Sequence, residues 1–482
     1  MNFNKLMIGG LLVASVFGTG CSLEVKPDYA LGIEDANAFP QDQLNGAMNR
    51  MYRVAYYGRN AYIFGDIGTD NIVEGANNSG RFIFESQMAK FEAMSNSVGS
   101  DETNLYDHIY EVVNNANRVI INDKATADQI GQAYFLRALA TFDAVKFFDK
   151  VPLVLSPVMS ITDAVNFKPE NDEVTKIYAQ VLMDLKMAQE SITNTSVNAP
   201  TANAAYALAS RVLLYIATEV DDFSKIEGVS SQKEAYEMAI AAADAVSGVE
   251  LLTAKDYADY FYTQGKSSLE TIFEIAVVES QSRGSDNFGN IYYLDKTGAG
   301  YGAYTANPEF VKMHSDEDVR KSMFVTVEEE KPGFQYVYKF AQSDGVTGLH
   351  APKILRYSEV LLNKAEALAA LGRGNDAASI IDQIRAARYT SNAPAVDVAN
   401  IVEEVFMERR KELAYEGHYM FDLRRHNKGV QLVRLADNKG GSDEVEDFNE
   451  FVPAGDIQFW FPIPQRSMQA NTSLLQPKYP NQ

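Results

Sequence analysis

The chain has 482 residues, with 43 Lys and Arg set against 65 Asp and Glu, a formal charge of −22. A balance this acidic repels phosphate backbones and sets nucleic acid aside as a partner. With 46% hydrophobic residues and a single cysteine, the core must be built by packing, without an internal disulfide.

The amino end reads as an export signal. MNFNK supplies a short n-region with Lys5, and LMIGGLLVASVF follows as an apolar run too short to span a bilayer. Gly18, Thr19 and Gly20 are the small residues a signal peptidase needs, and the next residue is the lone cysteine, Cys21. This arrangement resembles the bacterial lipoprotein signal, in which the cysteine after the cut carries diacylglycerol. Gly18 departs from the leucine usual at its position. An ordinary secretory signal beside an unrelated cysteine is the alternative, against which stands the liability of a free thiol in an exported chain. The expected organisation is a signal peptide over 1–20, a lipidated tether over 21–40 and one domain over 41–482. No later stretch reaches the ~18 continuous apolar residues of a membrane helix.

Beyond the tether, residues 60–100 are rich in Gly, Asn and Tyr and read as an irregular insertion. NLYDHIYEVVNNANRVIIN then reads as an amphipathic helix. IGQAYFLRALATFDAVKFF (130–148) is expected to pair with VTKIYAQVLMDLKMAQESI (174–192), and NAAYALASRVLLYIA (203–217) with KEAYEMAIAAADAV (233–246). ETIFEIAVV reads as a short strand, and residues 280–350 form a second irregular, Tyr-rich insertion. In ILRYSEVLLNKAEALAALG, a stripe of Ile354, Tyr357, Leu361, Ala365 and Leu368 predicts a helix. Gly372 is suited to its C-terminal cap and Asn375 to the N-cap of a following helix with Ala377, Ile381 and Ile384 inward. The fold expected is mainly α: a tetratricopeptide-like scaffold of helical pairs carrying large loop and short-strand insertions. Any all-α bundle shares the same periodicity.

Several segments in order resemble the SusD/RagB family of surface nutrient-binding lipoproteins. They are YDHIYEVVNNANRVI, AYFLRALATFDAVKFFDKVPLV, ILRYSEVLLNKAEAL, ERRKELAYEGHYMFDLRRHNKG and FPIPQRSMQANTSLLQPKYPNQ. Two positions depart from the pattern: Asp149 stands where glycine is usual, and Tyr106 where the aromatic is often Trp. The resemblance implies a lipid-anchored outer-membrane protein that caps a TonB-dependent, SusC-like barrel and delivers nutrient to it. The nutrient it implies is an oligosaccharide, with peptide as the alternative; a lipid-anchored assembly scaffold without a small ligand is a third reading.

Sugar recognition needs aromatic faces beside polar groups. The candidates are Tyr56, Tyr57, Tyr62, Asp66, Asp70 and Asn71 in the first insertion, and Tyr292, Tyr293, Tyr301, Tyr304 and Asn307 in the second. The sole tryptophan, Trp460, is expected in the core, which leaves no tryptophan platform. No catalytic constellation emerges. His418 and His426 lack the four-residue spacing of helical zinc ligands, and His108, His314 and His350 are isolated. Ser230 and Lys233 satisfy S-x-x-K without its companion motifs, and GAGYGAY lacks dinucleotide-loop spacing. Glu408, Arg409, Glu412, Glu416, Asp422, Arg424 and Arg425 are expected to form ion pairs, not an acid–base site. No cofactor and no metal is expected, with a structural calcium at the acidic run SDEVEDFNE left open.

Overall fold

The computed structural model describes residues 39–75, 82, 100–262, 269–327, 333–435, 445–454 and 460–476. Cys21, the signal and nearly all of the tether lie outside them, as do the side chains of SDEVEDFNE.

Paired helices form the scaffold. α1 (Pro40–Met51) opens on a proline, whose missing N–H is no loss in a first turn, and buries Leu44, Ala47 and Met51 along one face. α2 (Ser100–Ile120) does the same with Leu105, Ile109, Val112, Ala116 and Val119. α3 (Ala127–Phe148) begins with a capping box: the Gln129 amide donates to Thr126 Oγ1 (3.2 Å) and the Thr126 amide to Gln129 Oε1 (3.0 Å). It is buried almost all round from Gly131 onward, because α2 packs on it from one element and α4 (Val174–Ser191) from another. α5 (Ala202–Glu219) and α6 (Gln232–Ala245) pair closely. Ala235, Ala239 and Ala243 recur every fourth residue on α6, and such small side chains let helix axes approach. α7 (Tyr357–Ala370), α8 (Gly374–Arg388) and α9 (Ile401–Glu412) extend the stack, each packed on its predecessor. The tetratricopeptide-like scaffold is therefore present.

The α7–α8 turn refines two expectations. Gly372, at φ +74°, closes a Schellman cap in which the Arg373 amide donates to Leu368 O (2.9 Å) and the Gly372 amide to Ala369 O (3.0 Å). The chain re-enters helix directly at Gly374, so Asn375 lies inside α8 and caps nothing. Ile354 is likewise not helical. It belongs to a strand that ends at Arg356, and α7 starts at Tyr357.

Short strands organise the rest. β1 (Ile72–Glu74), β2 (Thr271–Glu274), β3 (Tyr304–Ala306), β4 (Phe324–Thr326) and β5 (Gln335–Val337) are followed by a hairpin of β6 (Gln342–Ser343) and β7 (Val346–Thr347), then β8 (Lys353–Arg356). The expected strand in ETIFEIAVV is β2, which pairs antiparallel with β8. One antiparallel sheet runs in the order β1-β3-β5-β4, with Ile72 opposite Ala306 and Glu74 opposite Tyr304.

The charged motif residues do form ion pairs, but inside the protein and across elements. Glu412 accepts from Arg320 (3.2 Å), Arg356 (2.6 Å) and Arg388 (3.0 Å). Glu408 takes Arg320 and Arg385, and Glu416 takes Lys339 and Arg356. Arg409 and Arg425 meet on Asp422, while Arg424 reaches Glu219 at 2.8 Å. Against the burial that would raise it, Arg388, Arg356 and Arg320 hold the Glu412 carboxyl well below the ordinary carboxylate range. Trp460 departs from expectation. It is only half-buried, with the Arg424 guanidinium 3.5 Å from its ring centre, and Phe461 and Ile463 are the core residues of that segment.

α3 ends on Asp149, whose φ of +62° falls where an L side chain is strained. That geometry accounts for the glycine usual at this place in the family resembled.

Candidate functional site

The two insertions meet through β1 and β3, and their polar candidates form the clasp between them. Asp66 accepts from the Tyr415 amide (3.1 Å), the Gly417 amide (3.0 Å) and Asn71 Nδ2 (3.2 Å). Burial pushes its carboxyl up to about 7 even though the Gly417 and Tyr415 amides pull the other way. Asn71 Oδ1 accepts from Arg410 Nε (2.8 Å), and Tyr415 Oη donates to Asn71 O (3.0 Å). Asn307 Nδ2 donates to Asp70 O (2.7 Å), while its Oδ1 caps the next helix at the Glu309 amide. Half-buried Asp70 pairs with Arg410 at 3.1 Å. Gly417 is required here: at φ +81° a Cβ would sit 2.4 Å from Ala61 O. Asp66 and Asn71 thus hold the first insertion to the carboxyl-terminal motif, Asn307 holds the second insertion to the first, and the three present no surface of their own.

The tyrosines divide. Tyr56 and Tyr57 stack with ring centres 4.6 Å apart, and both hydroxyls donate to Asp143 at 2.7 Å. Tyr62 donates to Lys353 O, Tyr292 packs on Phe288 and Tyr415, and Tyr304 donates to Phe82 O. All five are buried, so in this structure their rings serve packing and cannot face a ligand. Tyr293 and Tyr301 retain surface. Tyr293 stands 4.7 Å from Tyr338, and its hydroxyl donates to Asp295 at 3.0 Å. The Thr297 hydroxyl and the Ala299 amide hold Asp295 at about 2. Tyr301 meets Phe82 edge-on at 5.6 Å, and Arg59 lies 6.0 Å from the Phe82 ring.

Two contributors escape residue-by-residue reading of the sequence. Tyr338 is partnered with Tyr293, and its signal was the alternating aromatics of FQYVYKF. The second is a groove of about 330 Å³ between α1, α3 and the segment after β2. Its walls carry the amides of Gln41, Asn45, Asn49, Gln132, Asn198 and Gln281, over Leu44, Leu136 and Ile275, with Tyr52 among its residues. Carboxamides beside an aromatic face are the donor and acceptor set that sugar hydroxyls require. A larger groove, about 730 Å³, lies on the scaffold between α4, α5 and α6 and has a mainly apolar lining that includes Leu182, Leu213 and Met238.

Comparison with known proteins gives two family matches in chain order. Residues 23–214 match the family described as starch-binding associating with outer membrane, and residues 327–480 match the SusD family. The chain belongs to the SusD family. Among its relatives, SusD-like protein P38 of Formosa agariphila is 24% identical over 479 residues, covering 85% of this chain and 88% of that protein. SusD-like protein P2 of the same organism is 24% identical over 525 residues, covering 95% and 96%. Among solved structures, a SusD superfamily protein of Bacteroides thetaiotaomicron superposes with a TM-score of 0.74 at 22% identity, covering 93% of this chain and 100% of that one. A SusD-like carbohydrate binding protein of Bacteroides vulgatus gives 0.72 at 19% identity, covering 92% and 99%. This SusD family member shares its overall fold with those structures.

Proposed function

We propose that this protein captures a glycan at the cell surface and delivers it to a TonB-dependent, SusC-like barrel in the outer membrane, without chemically altering it. The observation that carries the reading is the clasped pair of insertions. It presents Tyr293 with Tyr338 and Tyr301 with Phe82, and the same protein carries a groove walled by carboxamides between α1, α3 and the segment after β2. The description of the matched family as starch-binding and outer-membrane-associated supports it, as does the likeness to a carbohydrate binding protein. Lipidation at Cys21 would attach the single domain by a short tether, leaving it free to tilt over the barrel. Ordered loops on a rigid helical frame suit capture, because the frame fixes where the rings stand before ligand arrives.

Affinity electrophoresis of the mature protein through gels containing single polysaccharides tests this directly. Retardation by a glycan that is recovered unchanged is expected, together with co-purification of a barrel from solubilised outer membranes. Calorimetric heat from peptide pools alone would replace the glycan by a peptide. A folded protein that no pool engages would leave only a scaffold.

A further inference from the structure

The chain is strongly acidic, yet one part of its surface is cationic. Arg50 lies in the last turn of α1, Arg53 in the turn that follows, and Arg59 shortly after. Arg283, at the start of the second insertion, joins them: its guanidinium stands 5.7 Å from the Tyr52 ring centre. Arg53 is exposed and the other three are half-buried. The carboxylates nearby are few. Glu111 is shared between Arg50 (3.1 Å) and His108 (3.5 Å), and Asp286 lies within electrostatic reach of Arg283. Among the described residues, neither Arg53 nor Arg283 forms an ion pair.

The cations act on one another. Burial, then Arg53 and Arg59, draw Arg283 below the ordinary guanidinium value, opposed by Tyr52 and Asp286. Burial followed by Arg50, Arg53 and Arg283 lowers His108 to about 4, so its imidazole is neutral at pH 7. Placing like charges together costs free energy, and among the described residues no carboxylate pairs directly with Arg53 or Arg283, Asp286 acting on Arg283 only at longer range. The patch also adjoins the carboxamide groove. Tyr52 belongs to both, and Gln281 of the groove wall is two residues before Arg283. On its far side Arg59 reaches Phe82, which contacts Tyr301.

We infer that groove and patch form one site for an anionic saccharide, in which the carboxamides and Tyr52 hold the sugar ring while Arg53 and Arg283 bind its carboxylate or sulfate. The inference rests on the glycan-capture reading and adds the charge class of the ligand. A guanidinium fork matches the two oxygens of either anion, and such charge-assisted bonds are short and strong. A net-negative protein gains nothing from a polyanion at long range, so binding must come from this patch.

The test is affinity electrophoresis at 0.15 M salt, as order of magnitude for physiological screening, through polygalacturonate, λ-carrageenan, pullulan and laminarin. The first two carry carboxylates and sulfates respectively, and the last two are neutral. Retardation by one or both polyanions is expected, and which one responds identifies the anion. Arg53→Gln with Arg283→Gln should weaken it by about tenfold or more without lowering the melting temperature, since neither residue holds an ion pair and like-charge repulsion is relieved. Tyr52→Ala should weaken it as well. Retardation by neutral glycans alone, or polyanion binding indifferent to the double substitution, would overturn the inference and leave glycan capture standing. A folded protein passing freely through all four gels would overturn both.

Discussion

Glu412→Gln tests whether the buried charge cluster holds the carboxyl-terminal motif in place. The substitution keeps shape while removing one negative charge, and turns one of two acceptor oxygens into a donor, among Arg320, Arg356 and Arg388. Each arginine retains another carboxylate: Arg320 has Asp318 and Glu408, Arg356 has Glu270 and Glu416, and Arg388 has Glu270. The loss is therefore that of breaking a buried pair, about 3–5 kcal/mol, and not that of stranding three charges. At about 2.1 cal/mol/K per residue, a chain of this length unfolds with an entropy near 1 kcal/mol/K, so Tm should fall by about 3–5 °C. Calorimetric melts across pH provide a second reading. Because the folded carboxyl lies well below its unfolded value of 4.5, the folded chain binds fewer protons in that interval. The stabilisation from Glu412 is whole above 4.5 and is lost as pH falls through the folded value. The gap between wild type and variant should accordingly narrow on acidification. A Tm change under about 1 °C at pH 7, or a gap independent of pH, would refute the reasoning.

Three further outcomes are expected. Asp149→Gly relaxes a residue held at φ +62° and should raise the denaturant midpoint by the equivalent of about 1 kcal/mol; a lower midpoint would show that the side chain holds the turn. Tyr292→Ala removes a fully buried ring and should cost about 3–5 kcal/mol in chemical denaturation, whereas Tyr301→Ala should leave folding intact and weaken glycan retardation. Equal effects of the two on stability would contradict their placement. Cys21→Ala should move the protein from the membrane to the soluble fraction on cell fractionation, and retention in the membrane would argue against a lipid anchor at that residue.

The helices were legible because burial on one face writes itself into spacing, as at Leu361, Ala365 and Leu368. Ile354 misled for the same reason. It continues the stripe of α7, but pairing of β8 with β2 decides its backbone, and the partner lies far away in sequence. The insertions were legible as places where recognition could reside, not residue by residue. Tyr292 and Tyr293 are neighbours of one type, yet one packs on Phe288 and Tyr415 and the other stands outside against Tyr338. Both tyrosines follow a single 3-10 turn, Phe288–Ile291, where neither a helix nor a strand period runs long enough to say which side is which. Asp66 and Asn71 looked like sugar ligands because hydrogen-bonding capacity does not reveal whether backbone or solvent will use it. The arginine patch was invisible for a further reason: Arg283 joins Arg53 only once the chain has folded.

The clasp sets a timetable for the molecule. Asn307 secures Asp70 across 237 positions of chain, so the first insertion cannot settle until much of the protein has been delivered to the compartment where it folds. Until then β1 lacks its β3 neighbour, and its backbone is open to any passing strand. A span of three residues, Ile72–Glu74, offers an intruder little to hold. Brevity in this strand protects a nascent chain during its wait, and lengthening it to stiffen the mature surface would trade that protection for aggregation on the way out.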